Sequence, residues 1–230
     1  MCARFTLKAT ADEIASAFAL DAQARTALVN GHKPSYNIAP THTALLLRQD
    51  GERLAPLWAS WGLIPAWARD ERIKERTINA RSETAAVKAS FRDAFRSRRC
   101  LLPANGFFEW RRAGKQRQPM YLSSRTPELL VMAGLWERSM TPQGEERLTF
   151  TILTTTANQD VSDVHDRMPL LLSSEQWSPW LNPQADSEKS VWNINTVPQS
   201  GLLQRWDVDS RVNSPGFDRP LCIEPALRLL

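Results

Sequence analysis

The apolar residues of this chain fall in short runs and alternations set between turn-forming positions, a pattern that predicts many strands and a few brief helices. Thr10-Ala11-Asp12-Glu13 has the spacing of a capping box, in which a hydroxyl and a carboxylate three residues on satisfy free backbone N–H groups, so a first helix is predicted from residue 11 to about 20. Residues 36–41, polar and containing Pro40, read as a loop before an apolar strand at 44–47. After Gly51 a second strand is predicted through Leu57 and Trp58 toward Trp61-Gly62, with Pro65 ending it. Residues 82–97 are helix-prone, and strands are predicted at 99–102, 106–111, 119–123, 129–136 and 148–155. Ser173-Ser174-Glu175-Gln176 can start a short helix.

Strands in succession, with helices between groups, predict an α+β fold: one domain over residues 1–230 with a curved, largely antiparallel, barrel-like sheet flanked by helices. With 42% apolar and 23% charged residues the chain can bury one sizeable core and lacks the composition of a disordered protein. No apolar stretch has the length of a signal peptide core or a membrane span, so a cytoplasmic, monomeric protein without membrane contact is expected. Cys100 and Cys222 lie in apolar surroundings and read as core residues. Three cysteines without paired spacing and three scattered histidines predict neither a disulfide framework nor a metal site, and no cofactor motif is found.

Charge changes the picture locally. Net charge is +4, but residues 69–117 carry fourteen Lys/Arg against six Asp/Glu, a surplus of eight that leaves the remainder at minus four. Arginine makes up 23 of the 29 basic residues, and its planar fork suits phosphate better than a lysine does. A nucleic-acid groove and a solvated face of paired charges both satisfy this pattern.

The candidate chemistry starts at Cys2. Removal of Met1 would expose a thiol and an α-amine on one residue, a 1,2-aminothiol. The α-amine titrates near ~8 against ~10.4 for lysine, so it attacks an aldehyde at neutral pH without special burial. The neighbouring sulfur can then close on the imine carbon to form a thiazolidine. Any residue can follow an initiator methionine, so Cys2 taken alone reads first as an incidental position and second as a functional one. Alternation in Gly106-Phe107-Phe108-Glu109-Trp110-Arg111 puts Glu109 opposite Phe108 and Trp110, facing a cleft or solvent. It is either a proton-transfer group or a surface glutamate. His165, flanked by Asp163, Asp166 and Arg167, is a proton shuttle or a loop histidine with a structural bond. Most tryptophans belong to the core, whereas Trp67, in a presumed loop beside the arginine-rich stretch, can stack on a base or pack inside.

Considered together these residues are more specific. Met1-Cys2-x-Arg4-Phe5, Tyr36-Asn37-Ile38-Ala39-Pro40, Trp61-Gly62-Leu63-Ile64-Pro65-x-Trp67, Ile78-Asn79-Ala80-Arg81-Ser82-Glu83-Thr84, the stretch from Arg99 to Trp110 and His165-Asp166-Arg167-Met168-Pro169 resemble, in that order, the SRAP family. These are SOS response-associated peptidase-type proteins that process abasic sites in DNA. The resemblance ends with Val212-Asn213 and Ile223-x-Pro225, and Ala3 departs from the glycine usual in the family. It implies that Cys2 captures the ring-opened abasic sugar in single-stranded DNA as a thiazolidine. By the same matching Asn79 positions the adduct and Glu109 and His165 transfer protons. Arg4, Trp67 and Arg81 line a positively charged DNA groove, with Thr154 a weaker carry-over to the same pocket. The peptidase of the family name is most simply removal of Met1, by Cys2 itself or by a host aminopeptidase. Two other classes fit single features: an N-terminal-nucleophile amidohydrolase accounts for Cys2 but needs no arginine-rich groove. A noncovalent single-strand binding module accounts for the groove and leaves Asn79, Glu109 and His165 without a role.

Overall fold

A ring of five strands closed through one long strand is the centre of the computed structural model, which describes residues 2–114, 116–141, 143–183 and 197–226. Met1 and Lys115, which entered the readings of the terminus and of the basic segment, lie outside the described residues.

The chain enters through β1 (Phe5–Leu7) and then α1 (Ala11–Ala17), whose capping box at Thr10 and Glu13 forms as predicted. The helix is shorter than its expected span because Phe18 leaves helical geometry and Ala19 takes a positive φ of 47°. The sequence pattern did not reveal α2 (Ala22–Gly31), which Asp21 caps by accepting from the N–H of Ala24. Next come β2 (Ser35–Ile38), β3 (Thr43–Asp50) and β4 (Arg53–Trp61). Residues 36–38 of the expected loop thus belong to a strand, because β1 supplies an antiparallel partner. The three-residue β5 (Asn79–Arg81) leads into α3 (Ser82–Ala85) and α4 (Arg92–Ser97), two short helices in place of one continuous helix. The remaining strands are β6 (Arg99–Ala104), β7 (Gly106–Ala113), β8 (Gln116–Ser124), β9 (Leu130–Met140), β10 (Glu146–Thr156) and β11 (Arg167–Pro169). The boxed helix α5 (Ser174–Leu181) precedes the last strand, β12 (Leu203–Asp207).

The barrel runs β10-β4-β3-β6-β9 and returns to β10. All of its pairings are antiparallel except β4 on β10, where Thr149 pairs with Ser60 and Phe150 with Trp61 in parallel. Beyond that contact β10 also pairs in parallel with β5, setting Ile152 against Asn79 and Thr154 against Arg81. A second, antiparallel sheet, β12-β8-β7-β1-β2, lies beside the barrel with β1 next to its edge strand. The α+β, barrel-like expectation holds. Among the described residues no helix is long and apolar enough to cross a membrane.

Aromatic packing joins the two sheets. Phe5 meets Trp61 edge-on at 5.3 Å, and Trp61 stacks on Phe150 at 5.9 Å, all three fully buried. Side chains of this size each bury about 150–250 Å² and contribute several kcal/mol through area alone, with further gain from ring geometry. A second cluster of Phe108, Tyr121, Val208, Val212 and Cys222 covers the outer face of β7 and β8. The strand β7 is therefore covered on both faces, which bears directly on Glu109.

Gly134, where β9 pairs with both β6 and β10, shows how closely the barrel strands approach. A Cβ there would lie 2.1 Å from Leu102 Cδ1 and 3.1 Å from both Cys100 Sγ and Thr151 O. Gly134→Ala is expected to lower the unfolding free energy by about 1–3 kcal/mol, the usual cost of overpacking, measured by urea denaturation. A stability equal to that of the unmodified chain would show that the barrel interior yields at this point.

Candidate active site

Position two is an interior position. The backbone of Arg4 accepts the N–H of Phe108 at 3.0 Å, which extends the β1–β7 pairing toward the chain start and brings Cys2 in beside β7. Cys2 is completely buried, and its Sγ donates to Arg4 O at 3.6 Å. Burial pushes the thiol well above its ordinary range, and the nearby Glu109 carboxyl pushes it further. The resting sulfur is a protonated thiol.

Glu109 is 2% exposed. Alternation correctly set it opposite Phe108, but that face of β7 looks into the main core beside Phe107 rather than to solvent. Burial is the main reason its carboxyl is raised to about 7, and the charge of Asp166 adds to the shift. A carboxyl with that value exchanges protons readily at neutral pH.

Asn79 reaches the same spot from β5, its Nδ2 donating to Cys2 O at 2.7 Å. Its Oδ1 is buried with no partner among the described residues. The approach is fixed by Trp61, whose Nε1 donates to Ile78 O at 2.7 Å, so the ring that packs on Phe5 also holds the residue preceding Asn79.

His165 sits on the loop between β10 and β11, a part of the chain tethered on two sides. Asn158 Nδ2 donates to Pro198 O and Gln199 O, and Asp160 accepts from the N–H groups of Gly201 and Leu203. Arg205 on β12 grips Asp163 through both carboxylate oxygens. On the other flank Arg167 pairs bidentately with Glu83 at 2.7 and 2.8 Å and donates to Thr154 O. Partial burial lowers the imidazole pKa, opposed by the field of Asp166. The motifs containing Glu83 and Arg167 were visible in sequence, but their ion pair and the Arg205 grip join residues too distant in the chain for spacing to reveal.

The proposed groove residues separate. Arg81 is exposed at the end of β5, opposite Thr154 in register, and Trp67 is 56% exposed on the segment after Gly62. Thr154 is fully buried, with Oγ1 donating to Ala80 O at 3.4 Å, so it supports the strand behind the surface. Arg4 requires correction. Its guanidinium is buried and donates to Asn37 Oδ1, Val212 O and Asn213 O at 2.8, 2.6 and 3.0 Å, fastening the 210–213 turn to β1 and β2. A side chain committed to these acceptors does not line an outer groove. The basic segment is likewise no single stripe: Arg98 pairs with Glu137, Arg111 with Asp207 and Arg72 with Asp70, while Arg99 is buried against the carbonyls of Phe95 and Trp180.

A thiol, a near-neutral carboxyl and a side-chain amide thus converge where a barrel meets a second sheet, with an imidazole on a braced loop nearby, which defines a cysteine-centred candidate active site in an α+β domain. The family model described as SOS response associated peptidase (SRAP) matches residues 1–215, and the chain belongs to that family. It is 40% identical over 228 residues to the abasic site processing protein YoqW of Bacillus subtilis, covering 97% of this chain and 99% of that one. Identity to the abasic site processing protein YedK of Escherichia coli is 31% over 192 residues, covering 83% of each chain. A crystal structure of a protein from Bacteroides thetaiotaomicron superposes with a TM-score of 0.87 at 26% identity, covering 98% of this chain and all of that one.

The raised Glu109 carboxyl sets a pH dependence of stability. Between the ordinary value of 4.5 and about 7 the folded chain keeps a proton that the unfolded chain releases, so stability falls as pH rises across that window and levels off above it. Glu109→Gln is expected to remove this slope, leaving the variant more stable than the parent above pH 7 by on the order of 2–4 kcal/mol. Parallel slopes in denaturation series at pH 5, 6, 7 and 8 would contradict the assignment.

Proposed function

We propose that this chain processes abasic sites in single-stranded DNA, and that Cys2, once Met1 is removed, captures the ring-opened sugar covalently. The reading is carried by the juxtaposition at Cys2, where Glu109 acts on the thiol and Asn79 holds the backbone carbonyl. The names of the curated relatives point to the same lesion. In the proposed sequence the freed α-amine adds to the C1′ aldehyde to give a carbinolamine. Protonation of its hydroxyl expels water and leaves an iminium. The sulfur then adds to the iminium carbon as its proton passes to a base, so aldehyde, amine and thiol yield thiazolidine and one water. Glu109, with a pKa near neutrality, and His165 are assigned these proton transfers.

Asn79 Oδ1, a buried acceptor without a partner among the described residues, is assigned to the freed amine or to a sugar hydroxyl, because an unmet acceptor at that depth is costly. Trp67 and Arg81 are assigned to the bases and phosphates of the strand. The peptidase of the family name fits the removal of Met1, which the aminothiol chemistry requires.

Met1-free protein mixed with single-stranded DNA carrying one abasic site is expected to give a heat-resistant band shift, absent with an intact strand and abolished by Cys2→Ala. A shift that survives Cys2→Ala, or none with verified Met1-free protein, would refute the covalent reading. Arg81→Ala is expected to reduce the slope of log K against log salt by about 0.7, the loss of one phosphate contact on a single strand. An unchanged slope would remove Arg81 from the DNA path.

A further inference from the structure

His165 Nδ1 is placed between a donor and an acceptor that it cannot satisfy together. The backbone N–H of Arg167 lies 2.9 Å from it and Asp166 Oδ1 lies 2.8 Å from it. A ring nitrogen offers one lone pair or one proton. With the lone pair it accepts from Arg167 and the ring carries its proton on Nε2; with a proton it donates to Asp166, and Nε2 is left to gain or lose a second proton. Each state completes one bond and breaks the other, and the two partners are consecutive residues of one braced loop.

From this geometry we infer that Asp166 is a positioning residue of the reaction: it selects the Nδ1–H form of His165, and the change of partner from the Arg167 N–H to the Asp166 carboxylate converts a resting imidazole into a working acid–base group. The inference rests on the proposed function for its substrate side. The proton count favours it. A neutral ring protonated only on Nε2 cannot release that proton without becoming an anion. When Nδ1 has taken a proton from solvent and holds it against Asp166, the imidazolium gives its Nε2 proton to the departing carbinolamine hydroxyl. The C–O bond breaks, water leaves, and the nitrogen lone pair forms the iminium. The ring is now neutral, with Nδ1–H still on Asp166 and a lone pair on Nε2. As sulfur adds to the iminium carbon, that lone pair takes the thiol proton and restores the imidazolium. No net proton is consumed in the cycle.

The surroundings fit a switch of this kind. Asp166 is exposed at the edge of the loop, where solvent can reach the ring nitrogen it faces, while His165 is partly buried, which favours the neutral ring at rest. The other charged groups around the loop are committed or interior. Arg167 is paired to Glu83, Asp163 to Arg205, and Glu109 is the buried carboxyl on which the charge of Asp166 also acts.

Asp166→Asn separates charge from shape, since the amide oxygen can still accept from Nδ1–H. Imidazole nitrogen NMR on the Met1-free protein without DNA is expected to show the Nε2–H tautomer in the unmodified neutral ring. In Asp166→Asn the His165 pKa should fall by roughly 0.5–1 unit, a shift reduced from that of a buried pair by solvent screening. The limb on which adduct formation slows as pH rises through the His165 pKa should move down by the same amount, with noncovalent affinity for intact single-stranded DNA unchanged. A His165 titration that stays in place, or one that moves while the rate profile does not, would overturn the inference. Absence of adduct from the unmodified protein at every pH would sink the proposed function instead, and the NMR arm would still decide whether Asp166 controls the ring.

Discussion

The candidate site depends on β1 being an interior strand. Phe5 pairs with Phe107 and with Ile38 across its two edges while its ring packs on Trp61, so the first residues of the chain are fixed by two sheets at once. This short element has few backbone bonds of its own, and its position follows from aromatic burial and from the Arg4 guanidinium that ties it to β2 and the 210–213 turn. Because Cys2 precedes it by three residues, whatever displaces β1 displaces the thiol from Glu109 and Asn79. Trp61 extends the same constraint: one indole packs on Phe5, stacks on Phe150 and bonds the carbonyl before Asn79. Cys2 and Asn79 are therefore referenced to a single rigid ring.

Electrostatics at the site follow from this depth. In water Glu109 would be an ordinary anion, and a cysteine beside it would differ little from any other. Removed from water, the carboxyl rises to about 7 and the thiol is held protonated, with the Glu109 carboxyl discouraging charge on the sulfur further. The site thus stores protons rather than charges, which suits the proton transfers proposed for it.

Much of the fold was legible because local rules and tertiary context agree in it. The capping boxes at Thr10 and Ser173 and the alternations that became β3, β4 and β6 to β10 are decided within a few residues. The failures come from partners distant in sequence. Residues 35–38 carry no strong strand signal and extend only because β1 lies beside them. The helix α2 buries just Ala24 and Leu28, too narrow an apolar face to announce itself, although Asp21 was an available cap signal. For Glu109, alternation gave the correct face but could not tell that a second cluster around Phe108 turns the opposite face into another interior. Arg4 illustrates the limit of carrying roles by motif: it stands in a motif at the start of the chain, yet its partners are Asn37 and carbonyls of a turn more than 200 residues away.

The complete burial of Cys2 has a consequence for selectivity. A protonated thiol below the surface is a poor target for small oxidants and soluble electrophiles, which need a thiolate they can collide with. By keeping the sulfur chemically silent, the fold acts as a preservative for the residue on which the proposed capture depends. Patience, in this protein, is a property of packing.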